Sequence, residues 1–127
     1  SLRELSELSG TALDTPAAQR DAAQRLIAQG RTQMVALSLG SAGAMLVTAS
    51  QCLQANALEV PVRSSVGAGD SFLAALVWAL DQQADLAQAL ATGVAAGAAA
   101  VSASGTALCQ AADISRLRQQ VRIHEVL

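Results

Sequence analysis

The chain has 127 residues, which leaves room for one compact domain and not for two. Its eight cations are all Arg and stand against ten carboxylates, so the formal charge is −2 and no basic stripe marks a nucleic-acid binder. Apolar residues make up 52%, with only Phe72 and Trp78 aromatic, so the core must be aliphatic and rich in Ala, and any lysine contact to a phosphate must come from outside this sequence.

Leu2, Leu5 and Leu8 recur every three residues before Gly10, which predicts a short helix closed by a glycine. Thr15 and Pro16 are an N-cap and a first helical residue. They open a second helix that runs to about Gln29 and stops at Gly30. Met34 to Gly40 is short, apolar and bounded by polar and glycine residues, which predicts a buried strand. Gly40-Ser41-Ala42-Gly43 is a turn. Ala44 to Thr48 and Cys52 to Val60 are two further strands of a meander, and Pro61 argues against a long central strand there.

Beyond Val66-Gly67-Ala68-Gly69-Asp70 the character changes. Phe72, Leu73, Leu76, Val77 and Leu80 form a helical apolar stripe. Asp85 caps the next helix, Leu86 to about Ala103. Its Gly93, Ala96, Gly97 and Ala100 would let another backbone come close. Ser104-Gly105-Thr106 is a loop, and Asp113 caps a last helix to about Arg122. Helices and strands share one chain, so the expected class is α/β. Three strands are few for so many helices, which suggests a piece of a larger protein.

Cys52 and Cys109 have no metal or redox spacing and are expected as small core residues. The start carries no secretory signal. Ala87 to Ala103 is too rich in Ala, Ser and Gly for a membrane span. A soluble, cytoplasmic protein with reduced thiols is expected, with neither nucleic acid nor membrane as partner. His124 has no acid or nucleophile beside it in the sequence and is expected at the surface. Arg116, Arg118 and Arg122 suggest a solvated helix face. Arg63 suits a solvated strand end better than a phosphate contact.

The Val-Gly-Ala-Gly-Asp-Ser segment carries the chemistry. Gly tolerates positive φ and lets a ligand approach the backbone. The first-turn N–H groups of a helix lack intrahelical partners, and the helix dipole is positive there. Together they form an anion site suited to phosphate. Asp70, at the same helix start, can accept a proton from a hydroxyl while the amides hold a phosphoryl group. On the hexapeptide alone, a plain helix cap is an equally good account. The segment is neither a Walker A loop nor a dinucleotide fingerprint, because no Gly-Lys-Ser/Thr follows and the third glycine is missing.

Four segments in one order resemble the PfkB-type, ribokinase-like carbohydrate kinases. They are LREL at the start, VALSLGSAGAMLV, SSVGAGDSF and GVAAGAAAVSASGTALC. The last two resemble the branch of 6-phosphofructokinases, 1-phosphofructokinases and tagatose-6-phosphate kinases. The resemblance implies the C-terminal part of a three-layer α/β/α domain, residues 1–127 being its nucleotide-binding and catalytic part: a small sheet flanked by helices. It implies ATP with Mg2+, a phosphorylated sugar as acceptor, fructose 6-phosphate foremost, and a homodimer in the complete enzyme.

Residue by residue, Asp70 matches the catalytic base, and Gly67, Ala68 and Gly69 match the anion hole. Ser38, Gly40 and Gly43 match residues near the nucleotide, and Val94, Gly97 and Ala98 match a helix packed against adenine. Ser64, Val66, Ala100, Ala103 and Gly105 match a loop that binds a monovalent cation such as K+ through carbonyls. Two departures stand out: Ser1 replaces a common Asn, and Ala107 replaces a frequent Arg. The family chain is more than twice as long, and its N-terminal portion carries most of the sugar site, the β lid and a phosphate-contacting Lys. The piece alone is therefore expected to be inactive. The competing readings are a truncated module that binds nucleotide or acts by association, and a ribokinase-like sugar or nucleoside kinase.

Overall fold

The computed structural model describes residues 1–64, 66–102 and 111–127. Helices α1 (Leu2–Ser9) and α2 (Pro16–Ala28) come first. Their ends follow the local signals. The Ser1 hydroxyl accepts the Glu4 N–H at 3.3 Å, and Thr15 accepts the Ala18 N–H at 3.1 Å. Gly10, at φ 70°, closes α1 in the left-handed region.

Strands β1 (Val35–Ser38), β2 (Ala44–Val47) and β3 (Cys52–Ala55) form the expected antiparallel meander. Helices α3 (Ala68–Asp81), α4 (Leu86–Ser102) and α5 (Ala111–Arg118) follow, and β4 (Ile123–Glu125) ends the order. Asp85 caps α4 by accepting the Gln88 N–H at 2.8 Å. Residues 56–62 form no strand, so the third strand is shorter than its sequence suggests.

Among the described residues the sheet has four strands where three were expected, in the order β1-β2-β3-β4. The last helix stops at Arg118 rather than near Arg122. The chain then turns, buries Val121, and lays Ile123 opposite Ala55 and Glu125 opposite Leu53. Three residues with one apolar position are too short for alternation to show. Pairing with β3, which is distant in sequence, creates this strand.

Both faces of the sheet are covered, because side chains alternate along each strand. Ala44, Leu46, Leu53 and Ala55 pack with Phe72, Leu76 and Leu90 of α3 and α4. Leu37, Met45, Val47 and Cys52 pack with Leu5, Ala22 and Ala23 of α1 and α2. This is a three-layer α/β/α arrangement. All four residues of β2 are buried, as befits a strand with no solvent face. Burying one such Leu contributes about 1.5–3 kcal/mol. Among the described residues, no helix is long and apolar enough to cross a membrane.

The turn between β1 and β2 is a 3-10 turn, Gly40–Ala42, ended by Gly43. Gly43 has φ 95°, and a Cβ there would sit 1.9 Å from the Ala55 carbonyl oxygen. Only glycine lets this turn lie against the end of β3.

Candidate active site

The chain enters α3 through Gly67, which takes φ 81° as N-cap and offers no side chain to the helix. The Ser71 N–H donates to the Gly67 carbonyl at 2.9 Å, the first bond of the helix. The N–H groups of Ala68, Gly69 and Asp70 have no partner among the described residues. They point from the positive end of a 14-residue helix dipole.

Asp70 sits within this first turn, exposed. Its carboxylate makes no hydrogen bond or ion pair among the described residues. The N-cap is Gly67, which makes no side-chain cap bond, and among the described residues Asp70 makes no bond to the helix start. The carboxylate is therefore open to solvent at the helix start.

Beside this helix mouth lies a cleft of about 560 Å³. One wall is the β1–β2 turn, with Ser38, Gly40 and Gly43. A second is α4, with Val94, Gly97 and Ala98. The third is the start of α3, with Ala68 and Gly69. All six residues expected near a nucleotide thus line one cavity, together with two of the three expected anion-hole residues. Gly67 and Asp70 belong to the same helix start but lie outside the lining.

The sequence reading missed Leu58, Val60 and Val62, which form an apolar side of the cleft. Their spacing of two was a usable signal: alternate residues of an extended segment share one face. Phe72 was expected as core and also reaches the cleft.

Of the expected cation loop, Ser64 lies next to the carbonyl end of α4, and Val66 bonds back to Ser64. The N–H groups of Arg63 and Ser64 both donate to the Val101 carbonyl, at 2.7 and 3.2 Å. The Ser64 hydroxyl accepts the Val66 N–H at 3.2 Å. Ala100 stands in the last turn of α4, where carbonyls lack intrahelical partners and the dipole is negative. Ala103 and Gly105 lie outside the described residues, as do Ser104, Thr106, Ala107 and Cys109. Among the described residues, no cluster of three His, Cys, Asp or Glu could cage a metal ion. His124 is exposed on β4, as are Arg116, Arg118 and Arg122 around α5. Arg63 is exposed and off the cleft lining. Cys52 is buried between the sheet and the first two helices, and burial pushes its thiol pKa up.

The profile of the pfkB family carbohydrate kinases matches residues 1–113. The chain belongs to the pfkB family. Among its curated relatives, the ATP-dependent 6-phosphofructokinase isozyme 2 of Mycobacterium tuberculosis (strain CDC 1551 / Oshkosh) is 40% identical over 116 residues. That match covers 91% of this chain and 34% of the relative. Phosphofructokinase-2 from Escherichia coli, solved in complex with substrates and products, superposes with a TM-score of 0.86 at 37% identity, over 94% of this chain and 38% of that one. The ribokinase of Arabidopsis thaliana, solved with ribose and ATP, matches with a TM-score of 0.80 at 24% identity, over 93% and 39%. That last likeness is one of fold alone: the layers are arranged as in the ribokinase. The pfkB chain spans about a third of the length of the Mycobacterium enzyme.

Proposed function

We propose that this chain is the C-terminal, nucleotide-binding and catalytic part of an ATP-dependent sugar-phosphate kinase, with fructose 6-phosphate as acceptor. The supporting observation is the shared cavity. Six residues expected around a nucleotide line it, and the unclaimed amides of α3 open beside them with a free carboxylate in the same turn. The resemblance to named 6-phosphofructokinases supports the choice of sugar.

In this reading the adenine lies between the apolar segment after β3 and the Val94–Ala98 stretch of α4. The phosphates run toward α3. The Gly67, Ala68 and Gly69 segment presents amides to the transferring phosphoryl group. Asp70 takes the proton of the sugar hydroxyl. The hydroxyl oxygen forms a bond to the γ-phosphorus, and the bond to the β–γ bridging oxygen breaks. That electron pair leaves with ADP.

Phosphoryl transfer depends mainly on positioning and charge stabilisation. One oxyanion donor is worth ~10²–10³ in rate, and a positioned base ~10²–10⁴. Mg2+, brought in with the nucleotide, would neutralise phosphate charge. The loop of Ser64, Val66, Ala100, Ala103 and Gly105 would hold K+ through carbonyls at the negative end of α4. The complete enzyme works in the cytoplasm as a homodimer, and the 127-residue piece alone lacks turnover.

The test is ATP consumption by the complete enzyme, with fructose 6-phosphate, fructose 1-phosphate, tagatose 6-phosphate and ribose offered in parallel. Fructose 6-phosphate is expected to give the highest kcat/KM. Preference for ribose would reassign the enzyme to unphosphorylated sugars, and no consumption with any acceptor would leave a nucleotide-binding module.

A further inference from the structure

We infer that Gly93 is a positioning residue: it sets how closely α3 lies against α4, and so where the α3 amides stand relative to the cleft. Gly93 is buried in the middle of α4. A Cβ there would lie 3.0 Å from the Phe72 carbonyl oxygen and 3.0 and 3.1 Å from two atoms of the Phe72 ring. The carbonyl belongs to the backbone of α3 and cannot rotate away. One turn later, a Cβ on Gly97 would meet the Ala68 carbonyl at 3.4 Å, an ordinary contact. Of these two positions the tighter is at Phe72, in the turn that follows the open amides of Ala68 to Asp70.

The consequence is geometric. Any side chain at position 93 must push the Phe72 backbone outward by a few tenths of an ångström. Phe72 is rigidly joined to the mouth of α3, so the amides move with it. The β1–β2 turn belongs to the sheet and not to α3, so a shift of α3 against α4 changes where the amides stand in the cleft. A misplacement of about 1 Å at a reacting group can cost ~10² in rate, so a smaller shift still registers. This inference rests on the proposed phosphoryl transfer for its kinetic readout, but not for its structural one.

The experiment compares Gly93→Ala with Leu5→Ala in the complete enzyme. Leu5 is buried against the opposite face of the sheet. For Gly93→Ala, kcat is expected to fall about tenfold while the Kd for ATP changes less than threefold. Leu5→Ala is expected to lower Tm with kcat unchanged. The amide resonances of Ala68 to Ser71 should shift in Gly93→Ala and not in Leu5→Ala. Adding Phe72→Leu to Gly93→Ala, which removes the ring contacts but not the carbonyl contact, should restore kcat in part.

The inference is overturned if Gly93→Ala keeps full kcat with unmoved amide resonances, or if it behaves like Leu5→Ala. Should the wild-type enzyme turn over no sugar at all, the kinase reading fails. The amide resonances and the ATP Kd then still decide whether residue 93 places the helix mouth.

Discussion

Strand β2 and the first turn of α3 are built to opposite rules. Every residue of β2 is buried, and its side chains are divided between two apolar clusters. The first turn of α3 is largely exposed, holds Gly69 just after the Gly67 N-cap, and leaves three amides and a carboxylate without partners among the described residues. One region is satisfied and the other is left open. The contrast is what a catalytic scaffold requires: the sheet fixes the frame, and polar groups kept unsatisfied at its rim are available to a ligand. Mutations should therefore separate cleanly, with stability changing at β2 and turnover at α3.

The largest separation is expected at Asp70. Asp70→Asn in the complete enzyme should lower kcat by ~10²–10⁴, read by ATP consumption, with the ATP Kd nearly unchanged. Its thermal stability should shift by no more than about 0.5 kcal/mol, since the side chain is exposed and makes no bond among the described residues. Near-normal turnover would reassign the residue to favourable interaction with the helix dipole.

The converse case is Leu46, only 1% exposed. Leu46→Ala should cost about 2–5 kcal/mol in urea unfolding while the folded fraction keeps its kcat. A loss of kcat without a loss of stability would erase the distinction between the two regions.

Gly69→Val sharpens it. Beyond its own helix and chain neighbours, a Cβ at Gly69 meets no atom of the described residues within 4 Å, so the variant should fold. Its β-branch would stand where phosphate must approach the amides, and turnover should fall about 10²-fold. Unchanged rate and ATP affinity would remove the anion-hole reading.

The smallest effect belongs to Cys52. Its buried thiol has a raised pKa, so in the folded protein it should react slowly with iodoacetamide. The sign of its pH dependence follows. Above the ordinary thiol range the unfolded chain releases a proton that the folded one keeps, so stability declines as pH rises through that window. Rapid alkylation of Cys52 at neutral pH under native conditions would contradict the burial.

Much of this was legible in the sequence where the signal is local. Gly10, Thr15-Pro16 and Asp85 mark helix ends through bonds to near neighbours, and those ends stand where they were expected. Strand β4 was not legible, because its residues become a strand only by pairing with β3. The cleft divides in the same way. The amide mouth reads directly from two glycines before a helical stripe. That Ser38 and Gly43 face Val94 and Gly97 across one cavity depends on how the layers stack, and only kinship with known kinases suggested it. Leu58 and Val60 were hidden by reading their segment as more of β3, and Val62, beyond Pro61, was given no role.

The claim on which the account turns is that the free amides of α3 hold the transferring phosphoryl group. Amide resonances of Gly67 to Asp70 in the complete enzyme can be followed during titration with ATP and, separately, with adenosine. Both ligands should shift resonances along Val94 to Ala98, but only ATP should move those at the start of α3. Equal responses to the two ligands at α3, or none to ATP, would show that the phosphates go elsewhere.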